Sequence, residues 1–328
     1  MAYCKGLQRI GRLVGGGMLL LAAACQPALP PAPGPETFPP PTAAAGLPRP
    51  LAETRQLAIS PLPTPTPPEL PTPLPSPTPT LPEPSPTAAQ AIAAITYTYR
   101  VLNRFPHDPR AFTQGLVYLD GVFYESTGLR GQSTVRIVDP PTGQVLQQVA
   151  LPEPYFGEGI AVLGDRLYQL TWQEGTGFVY DRHTLAPLGT WSYPGEGWGL
   201  TTDGNRLIMS DGSHQLRILD PATLQEIERL AVVDAFGQPV VRLNELEHIE
   251  GEVWANVWQT DLIARVDLAT GRVAGWVDLS GLLPPEERTQ PVDVLNGIAY
   301  DAATGRLFVT GKWWPWVYEI EVVPLSGH

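Results

Sequence analysis

One pattern recurs five times along the chain, and it leaves few folds open. Short apolar stretches begin at Gly115, Gly159, Gly199, Leu246 and Gly297, spaced 44, 40, 47 and 51 residues apart. Each runs into a tight turn: Asp120-Gly121, Gly164-Asp165, Asp203-Gly204, Glu250-Gly251 and Thr304-Gly305. Glycine and aspartate supply the positive φ that two-residue hairpin turns need. A β-rich second strand follows each turn, as in Val122-Phe123-Tyr124 or Arg306-Leu307-Phe308, and then a third, as in Val135 to Val138 or Trp316 to Val322. In four repeats the third strand ends in Asp and a turn, at Asp139, Asp181, Asp220 and Asp267. A fourth strand then runs outward, as in Val145 to Leu151. Four short strands per ~40–50 residues is the period of a β-propeller. The fifth repeat has only three strands, and Thr96 to Arg104 is an alternating strand with no repeat of its own. That strand is expected to supply the missing outer strand and to remove the exposed sheet edges. The expected fold is all-β, a five-bladed β-propeller over residues 96–323 closed by the N-terminal strand of the domain. A sandwich of similar strand content competes, but the regular repeat disfavours it.

The rest of the chain reads differently. Lys5, Arg9 and Arg12 precede an apolar run from Val14 to Ala24, which ends in Leu21-Ala22-Ala23-Ala24-Cys25. Residues 1–25 resemble a bacterial lipoprotein signal, with Cys25 the residue to be lipidated. An ordinary signal peptide or an uncleaved anchor is the competing reading. Twenty-three of the 38 prolines lie between Pro27 and Pro86. Residues 26–90 are therefore expected to form a Pro/Thr-rich disordered stalk, since such a segment favours extended conformations and buries little apolar surface. Residues 91–328 remain for the globular body, which is enough for a substantial core. The expected location is extracytoplasmic, held to a bacterial membrane or envelope only through the N-terminal lipid, or secreted if Cys25 is not modified. A formal charge of −12 argues against nucleic acid as a partner. Two cysteines make no disulfide framework, and no closely spaced Cys and His suggest zinc. A closed ring needs no partner, so a monomer is expected.

The residues entering each first strand carry the chemistry. They are Phe112-Thr113-Gln114-Gly115, Phe156-Gly157-Glu158-Gly159, Gly195-Glu196-Gly197-Trp198-Gly199, Leu243-Asn244-Glu245-Leu246-Glu247 and Val294-Leu295-Asn296-Gly297. Pseudo-rotation converges Gln114, Glu158, Trp198, Asn244 and Asn296 near the axis. The ends of second strands add Trp172, Trp258 and Lys312. Three indoles would exclude water and hold a small ligand. A carboxylate buried among them, Glu158, would have a raised pKa and could shuttle a proton near neutral pH. Lys312 could stabilise a developing negative charge. No Asp-rich cage is present in these motifs, and neither a metal nor another cofactor is required. The turn residues Asp139, Asp181, Asp220 and Asp267 read as structural.

At these residues the chain resembles the plant-type glutaminyl-peptide cyclotransferases, or glutamine cyclotransferases, a family of five-bladed propellers in plants and bacteria. The matching stretches include Phe105-Pro106-His107-Asp108, Ala111 to Leu116, Phe123 to Gly128, Phe156 to Gly159, Leu170 to Trp172, Glu196 to Leu200, Ser210 to Ser213, Leu243 to Glu247, Ala255 to Trp258, Leu295 to Ala299 and Thr310 to Lys312. The resemblance implies cyclisation of N-terminal glutamine, on peptides or proteins, to pyroglutamate with loss of ammonia, independent of metal. It implies that Glu158 is the proton shuttle and that Lys312 lies near the substrate carbonyl. It places Gln114 and Asn244 against the substrate's amine or amide, and Trp172, Trp198 and Trp258 in the pocket. Phe112 and Asn296 join them as expected substrate-binding residues. Glu125 and Glu247 match the pattern too, with catalysis and loop bracing both open for them. A non-catalytic propeller that binds a ligand or protein through the same face is the alternative, because fold alone does not fix function.

Overall fold

The computed structural model describes residues 97–325. The expectations for residues 1–90, Cys25 among them, lie outside the described residues. What is described is all-β apart from one 3₁₀ turn at Pro285–Glu287.

After β1 (Tyr97–Pro106), strands follow in antiparallel meanders. The first holds β2 (Thr113–Leu119), β3 (Val122–Thr127), β4 (Thr134–Asp139) and β5 (Gln144–Ala150). The second holds β6 (Gly157–Leu163), β7 (Arg166–Thr171), β8 (Thr176–Asp181) and β9 (Pro187–Ser192). The third, with its two shortest strands first, holds β10 (Leu200–Thr202), β11 (Leu207–Met209), β12 (Gln215–Leu219) and β13 (Glu226–Ala231). Then come β14 (Leu243–Ile249), β15 (Glu252–Val257), β16 (Leu262–Asp267) and β17 (Val273–Asp278), and finally β18 (Leu295–Asp301), β19 (Arg306–Gly311) and β20 (Trp316–Pro324). The last two groups belong to one eight-stranded sheet, ordered β14-β15-β16-β17-β1-β20-β19-β18. Strand β1 joins them. It pairs antiparallel with β20 from Tyr97↔Pro324 to Pro106↔Trp316, and meets β17 in parallel at Tyr97↔Val277. The orphan N-terminal strand thus becomes the fourth strand beside β18, β19 and β20, as the repeat count requires.

The first strands of the five groups touch in a cycle: β2 meets β6, β6 meets β10, β10 meets β14, β14 meets β18, and β18 meets β2. Their approach explains the recurring glycine. A Cβ on Gly115 would lie 2.6 Å from the Ile160 nitrogen, and one on Gly159 would lie 2.5 Å from the Leu200 nitrogen. In the fourth group Glu245 takes this place, and its carboxylate accepts the amides of Leu116 on β2 (3.2 Å) and Ile298 on β18 (2.8 Å). First strands have no sheet partner on their inner side, so buried amides there need such acceptors. Glu247 serves Tyr300 on β18 in the same way (2.9 Å).

The cores lie between neighbouring sheets and are filled by alternating residues such as Leu116, Ile160, Leu207, Val253 and Ile298, all almost fully buried. The turn aspartates are structural, as expected. Asp220 accepts the amides of Ala222 and Thr223, and Asp267 those of Ala269 and Thr270. At Asp120-Gly121 both residues have positive φ (53° and 87°), which suits the primed hairpin turn.

Candidate active site

The entry to each first strand is irregular. The pairing of β2 with β3 shifts between Thr113 and Gly115, that of β6 with β7 between Gly157 and Ile160, that of β14 with β15 between Leu243 and Leu246, and that of β18 with β19 between Leu295 and Ile298. Gln114, Glu158, Asn244 and Asn296 each fall inside one of these interruptions. A β-bulge releases a residue from the strict alternation of the strand and re-aims its side chain. Opposite them, the residues that end the second strands are fixed by one repeated backbone bond. Gly128 donates to the Phe112 carbonyl, Trp172 to that of Phe156, Trp258 to that of Arg242, and Lys312 to that of Val294.

Together these residues enclose a cavity of about 300 Å³, at the small end of ligand pockets. Seven of its lining residues besides Glu158 were expected from the sequence: Phe112, Gln114, Trp172, Trp198, Asn244, Trp258 and Lys312. Phe156 and Asp293 also line it. Phe156 stands two residues before Glu158, as Phe112 stands two before Gln114, so the repeat alignment held its signal. Asp293 had none, because no other repeat carries a carboxylate there. Phe156 fills the space left by Gly128, whose absent Cβ would clash with its ring.

The wall is aromatic and interlocked. Phe112 meets Phe156 edge-on (6.0 Å between centroids), Phe156 meets Trp172 (5.7 Å), and Trp198 meets Trp258 (5.5 Å). The indole N–H groups of Trp172 and Trp198 both donate to Glu196 Oε2, at 2.8 and 2.9 Å.

Glu158 is 4% exposed. Gln114 Nε2 donates to its Oε1 at 3.1 Å. Gln114 is held in turn by Asn296, whose Nδ2 donates to Gln114 Oε1 (3.2 Å) and to the Thr113 carbonyl (2.9 Å). With its oxygen taken by Asn296, the Gln114 amide has its N–H groups left for Glu158. Asn296 itself is fully buried and stands behind the lining, not on it. That corrects its expected place: its bulge turns the side chain toward β2, where the Thr113 carbonyl needs a donor.

Burial pushes the Glu158 carboxyl well above the ordinary carboxylate range; Lys312 works against this, while Glu174 and Glu196 reinforce it. Burial also pulls the Lys312 ammonium below its usual value, against Glu158 and Asp293. Lys312 Nζ lies 4.7 Å from the centroid of the Phe112 ring. The cavity therefore holds an acid–base pair that share one space, with each group's charge disfavoured by burial and sustained by the other. Such a pairing suits proton transfer. The Asn244 side chain lines the same space, and Ser210 Oγ donates to its backbone carbonyl at 2.7 Å.

Glu125 and Glu247 are outside the lining. Glu125 accepts from His107 Nε2 (2.8 Å), Thr113 Oγ1 (2.7 Å) and Arg136 Nε (2.9 Å), all buried. It ties the segment after β1 to β2, β3 and β4. Glu247 serves the first strands, as described above.

The chain matches the family model described as glutamine cyclotransferase over residues 79–322. It is 47% identical over 233 residues to the glutaminyl-peptide cyclotransferase of Arabidopsis thaliana, a match covering 69% of this chain and 72% of that protein. Among solved structures, that of Myxococcus xanthus glutaminyl cyclase is similar with a TM-score of 0.65 and 37% identity, covering 70% of this chain and 98% of the other.

Proposed function

The chain belongs to the glutamine cyclotransferase family, and from that membership we propose that it converts the N-terminal glutamine of peptides or proteins to pyroglutamate with release of ammonia. The observation that carries this reading is a single buried carboxylate, Glu158, held by Gln114 inside an aromatic cavity that also contains Lys312.

In the proposed mechanism both reactants belong to one residue. The cavity first folds the glutamine side chain back on the α-amine, which makes the attack unimolecular in effect. The close walls of Phe112, Phe156, Trp172, Trp198 and Trp258 suit that task. The neutral α-amine adds to the side-chain carbonyl carbon and a C–N bond forms. The bond from that carbon to the amide nitrogen then breaks, and ammonia leaves. Glu158 takes the amine's proton and returns it to the leaving nitrogen, so the enzyme ends as it began. Its raised pKa suits both halves of the transfer near neutral pH. Lys312 faces the carbonyl oxygen as negative charge develops there, and Asn244 and Gln114 orient the amine and amide. No step requires a metal.

The architecture that supports this site is a five-bladed β-propeller, with β1 completing the fifth blade. Five four-stranded groups and a cycle of five first strands support it. We propose that the body works as a monomer outside the cytoplasm, tethered through Cys25 and the Pro/Thr-rich stalk; the support here is the signal-like segment and the proline content alone.

The test is ammonia release from a short peptide with N-terminal Gln, with EDTA present. Activity in the wild-type chain that falls at least 10²-fold in Glu158→Gln is the expected result. No ammonia from folded wild-type protein would refute the reading and favour a propeller that only binds.

A further inference from the structure

Glu196 joins two walls of the cavity by hydrogen bonds. It comes from the loop between β9 and β10, which also carries Trp198, whereas Trp172 follows β7. Oε2 accepts both indole N–H groups, at 2.8 and 2.9 Å, and Oε1 accepts Gln173 Nε2 at 3.2 Å. The loop itself is anchored directly after the carboxylate. Gly197 donates its amide to the Trp172 carbonyl at 2.9 Å, and Trp198 donates to the Ser210 carbonyl at 3.0 Å. A Cβ on Gly197 would lie 2.5 Å from the Tyr193 hydroxyl and 2.9 Å from the Thr171 carbonyl, so glycine lets the loop press this close to β7. On the other side of Glu196, Gly195 has φ +79°, which glycine adopts without strain.

The carboxylate is ionised in this setting. Burial pushes it up, but the bonds from Trp198, Gln173 and Trp172 outweigh burial and hold it below the usual carboxylate range. Indoles donate only through one N–H each. Two of them converging on one charged oxygen lose the freedom to rotate about their side-chain bonds, and charge-assisted bonds of this kind are the strong ones.

We infer that Glu196 is a positioning residue for the proposed cyclisation: it pins the indoles of Trp172 and Trp198 in the planes that hold the substrate's N-terminal side chain folded. The inference rests on the cyclotransferase reading for its kinetic consequence, though not for its geometry. Glu196 does not touch the reacting atoms. It acts through the walls, and as a fixed negative charge near Glu158. The other charged or titratable groups around Glu158 are Lys312, Glu174, Tyr193 and Asp293, and a change at Glu196 leaves them in place.

Three forms of the full chain decide the matter: wild type, Glu196→Ala and Glu196→Gln. Each is measured for ammonia release from a Gln-peptide as a function of substrate concentration and pH, and for indole emission. The expected result in Glu196→Ala is a KM raised about tenfold, the scale of one hydrogen bond to a charged group, with kcat changed less. Its indole emission shifts to the red as the rings loosen. Glutamine keeps a carbonyl oxygen that can accept both N–H groups, so Glu196→Gln restores KM to within about threefold of wild type and restores the emission. Both variants lose a negative charge that raises the Glu158 pKa, so both move the acid limb of kcat/KM to lower pH. A fall in kcat at unchanged KM would reveal general damage and overturn the inference. So would a Glu196→Gln variant as impaired as Glu196→Ala. If the wild-type chain releases no ammonia, the cyclotransferase reading fails. The emission of the two variants still decides whether Glu196 holds the indoles.

Discussion

Lys312 is the cation of the cavity wall, and its presence limits how far burial can raise the pKa of Glu158. Removing the ammonium in Lys312→Met lets the Glu158 pKa climb further. A base that must be ionised to act then becomes competent only at higher pH, so the acid limb of kcat/KM moves to the alkaline side. If Lys312 also faces the developing oxyanion, kcat falls by on the order of 10²–10³-fold. Initial rates of ammonia release across a pH series check both effects; an unmoved limb would show that the two groups do not sense each other. Most of this residue-scale picture was legible in the sequence, because repeats bring equivalent positions to one axis. The exceptions have physical reasons. Glu196 stands two residues before Trp198, where the other repeats carry Phe112, Phe156, Arg242 and Val294, so the alignment gives no sign of a carboxylate's role there; that role shows only once the indoles of Trp172 and Trp198 are seen to share its oxygen. Asn296 occupies the right position but a different environment, since β2 offers it a carbonyl on one side and Gln114 on the other.

At the scale of elements, alternation and turn residues predicted the strands well, while the register breaks were not legible. A bulge is a relation between two strands, and a single strand's pattern does not contain it; the trace in three of the four cases was a glycine after the site residue, with Glu245 in its place after Asn244. Nor did the sequence show what binds the segment after β1 to the rest. That role falls to Glu125, with His107, Thr113 and Arg136 around it. The Arg136 side chain is only 6% exposed, so Glu125→Gln strands a buried guanidinium with Asp108 alone as its ion-pair partner. The expected cost is about 3–5 kcal/mol, or a drop in Tm on the order of 10 °C for a domain of this size, read by thermal unfolding. The effect depends on pH in a definite direction. Burial raises the Glu125 pKa, but Arg136 and His107 outweigh it and hold the carboxyl far below its ordinary value of 4.5. Its stabilising contribution is therefore complete above that value and fades as the pH falls below it. The difference in Tm between wild type and variant should shrink in the same range.

At the scale of the molecule, charge sets which substrates arrive. The chain carries a formal charge of −12. Around the cavity, Glu174, Glu196 and Asp293 outnumber the nearby Arg130 and Lys312. The N-terminus of a peptide is cationic before it reacts, so the field draws it in. Peptides in which Gln is followed by Lys should react faster at low salt than those in which it is followed by Glu. The ratio of kcat/KM, on the order of 10-fold at low salt, should fall toward one as the ionic strength passes about 0.15 M, where charges more than about 8 Å apart are screened. A ratio independent of salt would place the selectivity in contacts rather than in the field.

The pairing of β1 with β20 also fixes a moment in time. Arg100 and Glu321, partners across these strands, are 221 residues apart in sequence. During synthesis at ~5–20 residues per second, that separation corresponds to on the order of 10–40 s in which β1 exists without its partner. Contacts so distant in sequence also slow folding once the chain is complete. Three four-stranded sheets pair strands that are consecutive in sequence, but the seam must wait for the last strand. Until then β1 presents an open edge, which is where a wrong partner would add. The interval before the seam closes is thus when β1 is most open to a wrong partner, and a chain that lacks Trp316–Pro324 never leaves it.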